Sequence, residues 1–220
     1  YMDGNLSALG ASDMNMPNSS FNDSGYSGAT TEERNKYEFK VVLLGDAAVG
    51  KTSLLKRYIK NEYNEEYQCS LGVEFECKTI PLDQNSVAEV KIWDTCGEEK
   101  YRAMTKLYYR DSDGILLLFD LTSQSSFDNL KNWINDIQNT VVINKMSIIL
   151  VGSKADLEKK VSPEEVNSFV ANYNFLSYVE ISSKTGMNIE LVFDKILREM
   201  VERNNREDDP EEGANEVKNK

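Results

Sequence analysis

The run Gly45-Asp46-Ala47-Ala48-Val49-Gly50-Lys51-Thr52 spaces two glycines, a lysine and a hydroxyl as G-x-x-x-x-G-K-[ST], a pattern able to wrap a phosphate chain. The glycines allow a loop whose backbone N–H groups converge on phosphate oxygens, and a helix opening at the loop adds its dipole. In that chemistry the Lys51 ammonium holds the terminal phosphates and the Thr52 hydroxyl ligates a magnesium ion. A strand–turn–helix with a surface lysine is the plainer reading of the same letters. The context weighs against it, because an apolar strand precedes the loop and helical spacing follows. Taken alone, the loop points to a nucleoside triphosphate and leaves the base open.

Such a loop needs elements to hold it. Glu38–Gly45 (EFKVVLLG) is an apolar, β-branched run ending in glycine, as a buried strand should be. Leu54, Leu55, Tyr58 and Ile59 recur at helical spacing over Gly50–Asn61. Phe75–Leu82 and Val87–Asp94 alternate on either side of a polar turn and predict a hairpin. Gly114–Leu121 and Ser147–Gly152 are unbroken apolar runs, expected for strands covered on both faces. Helical patterns occupy Phe127–Val141, Ser162–Asn172 (with Pro163 in the first turn) and Asn188–Arg203, and a last strand is expected at Leu176–Ile181. Alternating strands and helices predict a doubly wound α/β domain with a mostly parallel sheet, whose ligands sit at the carboxyl ends of the strands.

The ends differ from the middle. Residues 1–36 are rich in Asn, Ser, Gly and Asp without apolar period, and a disordered extension is expected there. Residues 204–220 are acid-rich and read as a second disordered tail, leaving 37–203 as the domain. Tyr1 stands where an initiator methionine would, so the chain is open to being part of a longer protein.

Composition removes several classes of function. The net charge is −12, which disfavours nucleic acid and anionic membranes as partners. The absence of histidine excludes imidazole bases, His-ligated metals and Ser-His-Asp triads. Cys69, Cys77 and Cys96 show no C-x-x-C spacing, which suits a reduced, intracellular setting. No apolar run is long enough to span a bilayer, and no signal peptide is visible.

Three further segments end predicted strands on the same ligand face: Ile92-Trp93-Asp94-Thr95-Cys96-Gly97-Glu98-Glu99, Gly152-Ser153-Lys154-Ala155-Asp156 and Glu180-Ile181-Ser182-Ser183-Lys184. In order and spacing they resemble the DxxG, NKxD and SAK elements of the Ras superfamily of small GTPases, over about Glu38 to Arg203. The resemblance implies a P-loop NTPase fold of the α/β class: a small G-domain with a mostly parallel six-stranded sheet flanked by about five helices. It also implies GTP/GDP as ligand and Mg2+ as the ion.

The site residues follow from the resemblance. Gly45, Ala48, Val49, Gly50, Lys51, Thr52 and Ser53 would contact the phosphates. Thr52, Ser70 and Asp94 would hold the ion, and Gly97 would present its amide to the γ-phosphate. Asp156 would accept from guanine N1–H and the N2 amino group, a donor pair adenine lacks. Ser153, Lys154, Ser182, Ser183 and Lys184 complete the base site, with the Lys154 stem along the base, the Ser183 amide on O6 and Tyr63 on the opposite side. Lys51, Gly97 and Glu98 are the catalytic candidates. Loss of the γ-phosphate would release Ser70 and Gly97 and relax both loops.

Leu71–Phe75, Lys78–Leu82, Val90–Asp94, Tyr108-Tyr109-Arg110 and Leu117–Thr122 look like segments of the Rab branch. Phe75, Trp93 and Tyr108 would form a Rab-type hydrophobic patch. The resemblance further implies an effector, an exchange factor and an activating protein as partners of a monomer. It implies a cytoplasmic protein, peripheral on endomembranes only if a prenylated tail or a partner supplies the anchor.

Four departures modify this reading. Glu98 stands where the family's glutamine orients the attacking water; an ionised glutamate only accepts hydrogen bonds, so slow hydrolysis is expected. Ala47 brings a methyl group near the reacting phosphate. Ser153 replaces the NKxD asparagine and predicts weaker binding and faster exchange. No cysteine follows Cys96, so the usual prenylation motif is missing from this sequence. Cys69 and Cys96 fall in the two switch segments, where inert thiols are expected over a redox pair. The leading expectation is a Rab-like GTPase of vesicle trafficking with slow turnover; the alternative is a pseudo-GTPase, a nucleotide-stabilised binding module.

Overall fold

In the computed structural model the described residues are 35–65, 73–97, 102–140, 146–173 and 175–208. The N-terminal extension before residue 35, and the C-terminal residues after 208, lie outside them. The strands are β1 (Asn35–Leu44), β2 (Glu74–Pro81), β3 (Ser86–Asp94), β4 (Gly114–Asp120), β5 (Ser147–Ser153) and β6 (Ser177–Glu180). The helices are α1 (Lys51–Lys60), α2 (Arg102–Tyr109), α3 (Gln124–Asp128), α4 (Leu130–Thr140), α5 (Pro163–Asn172) and α6 (Ile189–Asp208).

The six strands form one sheet in the order β2-β3-β1-β4-β5-β6. Only the β2–β3 hairpin is antiparallel; β1 pairs in parallel with β3 and β4, and β5 with β4 and β6. From β1 the chain runs to the edge strand β2 and returns through β3 beside β1, then crosses to the other side of β1 with β4. That reversal opens a crevice at the carboxyl end of β1, where the loop Gly45–Gly50 lies.

Alternation along the strands divides the core. Val41 and Leu43 of β1, Leu116 and Leu118 of β4, and Ile149 and Val151 of β5 face α1 and α6. Val42, Leu44, Ile115, Leu117, Phe119, Ile148 and Leu150 face the other layer, with Phe127, Leu130, Trp133, Val166 and Phe169. β4 and β5 are buried at every position, which accounts for their unbroken apolar sequence. Each fully buried leucine contributes about 1.5–3 kcal/mol by leaving water.

Element ends depart from the periodicity in four places. β1 starts three residues before Glu38, because Asn35-Lys36-Tyr37 pairs with Ser86-Val87-Ala88 of β3. The helix expected over Phe127–Val141 is two: Ser123 caps α3 through a bond from Ser126 N, and α4 begins after Asn129. α2, with eight residues, was not visible as a pattern. α6 continues past Arg203 to Asp208, held by Arg206–Glu202 pairing (3.3 Å) and by Tyr37 Oη donating to Asn205 Oδ1 (2.9 Å). These are polar contacts that carry no apolar period. Among the described residues no helix is long and apolar enough to cross a membrane.

Candidate nucleotide site

The phosphate loop leaves β1 at Gly45, whose φ is 138°. A Cβ there would stand 2.2 Å from the backbone oxygen of Leu118 on β4, so no other residue fits. Ala48 and Gly50 also take positive φ (61° and 99°), turning the chain into a concave run of amides. For Ala48 that conformation costs about 1–2 kcal/mol, a strain the surrounding loop must hold. Val49 is buried, and Gly50 hands the chain to α1 with its backbone oxygen accepting from Leu54 N (2.9 Å).

Lys51 opens α1 and is only 5% exposed. Its ammonium donates to the backbone oxygens of Gly45 (2.8 Å) and Asp46 (2.7 Å), so the positive charge sits inside the curve of the loop. Gly97, at the end of the segment after β3, touches the same group: a Cβ there would be 2.4 Å from Lys51 Nζ and 2.4 Å from Asp46 O. Thr52, half-buried on α1, donates through Oγ1 to Asp94 Oδ2 at 2.5 Å, and Asp94 is 2% exposed at the end of β3. A hydroxyl and a carboxylate oxygen side by side, next to the loop's cationic centre, are the hard donors magnesium takes. Ser53 follows, half-buried, on the same turn.

The residues expected at the base lie on loops after β5 and β6. Ser153 is buried, with its hydroxyl 2.6 Å from Val49 O and 2.9 Å from Phe119 O, so it can donate to either carbonyl. The serine therefore reaches the phosphate loop directly despite its short side chain. Lys154 has a left-handed backbone (φ 58°) and pairs with Asp120 Oδ2 at 2.6 Å. Asp156 is exposed and accepts from Ser182 Oγ at 2.6 Å. Ser182 is fully buried and also accepts from Thr185 N (3.1 Å) and Gly186 N (2.9 Å), which closes the loop that carries Ser183 and Lys184. Lys184 reaches Glu65 (2.7 Å), a pairing that holds the Glu65 carboxyl below its ordinary value and raises the lysine. Tyr63 is 39% exposed beside them.

Ser70, Cys69 and Glu98 lie outside the described residues. Away from the loops, Phe75 stacks on Trp93 (4.9 Å between centroids), and Trp93 meets Tyr108 at 5.7 Å. Phe75 is 52% exposed, so the expected aromatic patch is contiguous and open to solvent.

Several polar groups of the site escaped the sequence reading. Asp46 Oδ1 accepts from Asn129 Nδ2 and Trp133 Nε1, both at 2.7 Å, which ties the phosphate loop to α4. Asp120 organises Lys154, Thr122 N and Thr122 Oγ1 around one carboxylate. A lone acid closing the apolar run GILLLFD was a legible signal for Asp120. Nothing local marks Asn129 or Trp133, whose roles depend on a loop 83 and 87 residues away.

This α/β sheet, with a lysine-filled phosphate loop at its switch point, defines a P-loop nucleotide-binding domain. The Ras family model matches residues 40–202. The chain is 43% identical over 171 residues to GTP-binding protein ypt3 of Schizosaccharomyces pombe, covering 77% of this chain and 78% of that protein. It is 38% identical over 174 residues to Ras-related protein RABA1b of Arabidopsis thaliana, covering 79% and 80% respectively. The chain belongs to the Ras family and is a Rab-like small GTPase.

Proposed function

We propose that this protein is a GTP/GDP-switched regulator of vesicle trafficking that hydrolyses GTP slowly. The observation that carries the proposal is the contact of Gly97 with Lys51 and Asp46, without room for one added carbon. Any ligand that draws the ammonium away from the Gly45 and Asp46 carbonyls changes what the Gly97 segment rests against. Occupancy of the phosphate loop is thereby coupled to the segment after β3.

The residues divide the work. The Lys51 ammonium would exchange its two backbone acceptors for phosphate oxygens and neutralise charge that builds during transfer. Thr52 and Asp94, with Ser70 from the first switch segment, would hold the ion. Bound there, magnesium would supply Lewis-acid stabilisation of the phosphate oxygens. Gly97 would orient the terminal phosphate through its amide, and Asp156, with Ser182 behind it, would select guanine. Glu98 would position water poorly, because a carboxylate beside phosphate oxygens is repelled and cannot donate while ionised. The Phe75–Trp93–Tyr108 surface, with Phe75 exposed and the other two rings half-buried, suits an apolar partner, and effector, exchange factor and activating protein would meet the protein there and along the switch segments. We place the domain at 35–208, from the start of β1 to the end of α6, as a monomer attached to endomembranes only through a lipid or a partner.

The same Glu98 supports a second reading, a nucleotide-stabilised binding module without turnover. Single-turnover GTP hydrolysis by the native protein and by Glu98→Gln separates the two. A glutamine variant at least about tenfold faster supports a working site slowed by one carboxylate. Equal slow rates would remove Glu98 as the cause. Two inert proteins that still bind GTP would establish the binding module.

A further inference from the structure

Arg57 stands six residues after Lys51 on α1, about 9 Å along the helix axis from the phosphate loop. An arginine in the last turn of a helix ordinarily serves that helix's own carbonyl end. Part of this side chain does so: Nη1 donates to Asn61 O (3.0 Å) and Asn61 Oδ1 (3.1 Å). The rest does not. Nε donates to Ser183 O at 2.6 Å and Nη2 to Lys184 O at 2.8 Å, reaching across 126 and 127 residues of sequence. The guanidinium carbon also lies 5.9 Å from the ring centroid of Tyr63. One planar group therefore touches both walls of the base end, the Ser183–Lys184 backbone and the Tyr63 ring, from a helix that begins in the phosphate loop.

We propose that Arg57 is a positioning residue for guanine recognition, clamping the Ser183–Lys184 loop and Tyr63 to the far end of the helix that carries the phosphate-binding Lys51 and Thr52. The proposal rests on the reading of Asp156, Ser183 and Lys184 as the base site. Its physical basis is the fork. Two donors at fixed angles on successive carbonyls set the orientation of the peptide planes between them, which a single ammonium cannot do. The loop has few other restraints on its outer side: Lys184 pairs with Glu65, but those side chains are 52% and 72% exposed, where an ion pair holds weakly. Asp156 is oriented through buried Ser182 and not through Arg57, so the clamp governs the wall formed by Ser183 and Lys184.

The test is competition of Mg-GDP and Mg-ADP against a fluorescent guanine nucleotide on the full chain, for the native protein, Arg57→Ala and Arg57→Lys. ADP shares the phosphate loop but lacks the groups the base loop reads. The expected result is a fall in the GDP-over-ADP preference of about tenfold or more for Arg57→Ala, from two lost bonds to a charged donor. Arg57→Lys keeps the charge and the packing of the stem, so it remains folded if the alanine variant does not, and it should lose about half of that preference on a logarithmic scale. Equal weakening of GDP and ADP would show a general structural role and overturn the proposal. Unchanged GDP affinity in both variants would overturn it as well. A native protein with no preference for GDP would instead remove the base-site reading, and the clamp with it.

Discussion

The phosphate end and the base end of the site are built by different means. At the phosphate end most of the groups are buried or are backbone: Lys51 is 5% exposed, Asp94 2% and Ser153 3%, with Thr52 and Ser53 half-buried. Their positions follow from chain geometry, with glycines at Gly45 and Gly97 where a Cβ would meet other atoms at 2.2 and 2.4 Å. At the base end the groups that would meet the ligand, Asp156, Lys184 and Tyr63, are exposed side chains. They are held from behind by Ser182, Glu65 and Arg57. One end tolerates no change of shape. The other tolerates changes of side chain as long as its supports remain.

That contrast sets the order of effects. Gly45→Ala should do the most damage, because the methyl group meets the rigid Leu118 carbonyl and φ is unsuited to alanine. A loss of about 3–5 kcal/mol in urea unfolding is expected, with GDP and ADP binding lost together. Near-native stability would refute the claim that backbone shape limits this end. Asp156→Ala should act differently: the residue is exposed, so stability should fall only by about 1 kcal/mol, from the lost Ser182 bond, while GDP-over-ADP preference falls by about a hundredfold. If stability fell as much as preference, the two ends would not differ as described.

The sharpest boundary between the ends is Ser153, which stands on a base-site segment yet bonds the phosphate loop at Val49 O. Removing its hydroxyl in Ser153→Ala takes one donor from the buried Val49 and Phe119 carbonyls and should cost about 1 kcal/mol, with GDP release faster by about fivefold. Both nucleotides should weaken alike, unlike the Arg57 and Asp156 variants. A selective loss of GDP would move Ser153 to the base end.

Much of this architecture was legible before the fold was known. Unbroken apolar runs at Gly114–Leu121 and Ser147–Gly152 marked strands buried on both faces, and the structure buries every position of β4 and β5. The hairpin, the loop between β1 and α1, and the start of α5 at Pro163 followed from period and from local chemistry. The eight-residue α2 did not, because two turns of helix give too few repeats for a period to declare itself. The continuation of α6 to Asp208 was also hidden, since charged pairs and a tyrosine contact hold it where apolar periodicity has stopped.

By itself, then, the sequence determined most of the elements and the candidates for the reactive groups: a motif is local, and the strand before it and the helix after it leave a local pattern. Tertiary structure alone decided the supports. Arg57 behind Ser183 and Lys184, Trp133 and Asn129 behind Asp46, and Asp120 behind Lys154 are pairings across 34 to 127 residues of chain. Such contacts leave no local trace, because what brings them together is the order of strands in the sheet, a consequence of packing two apolar faces at once.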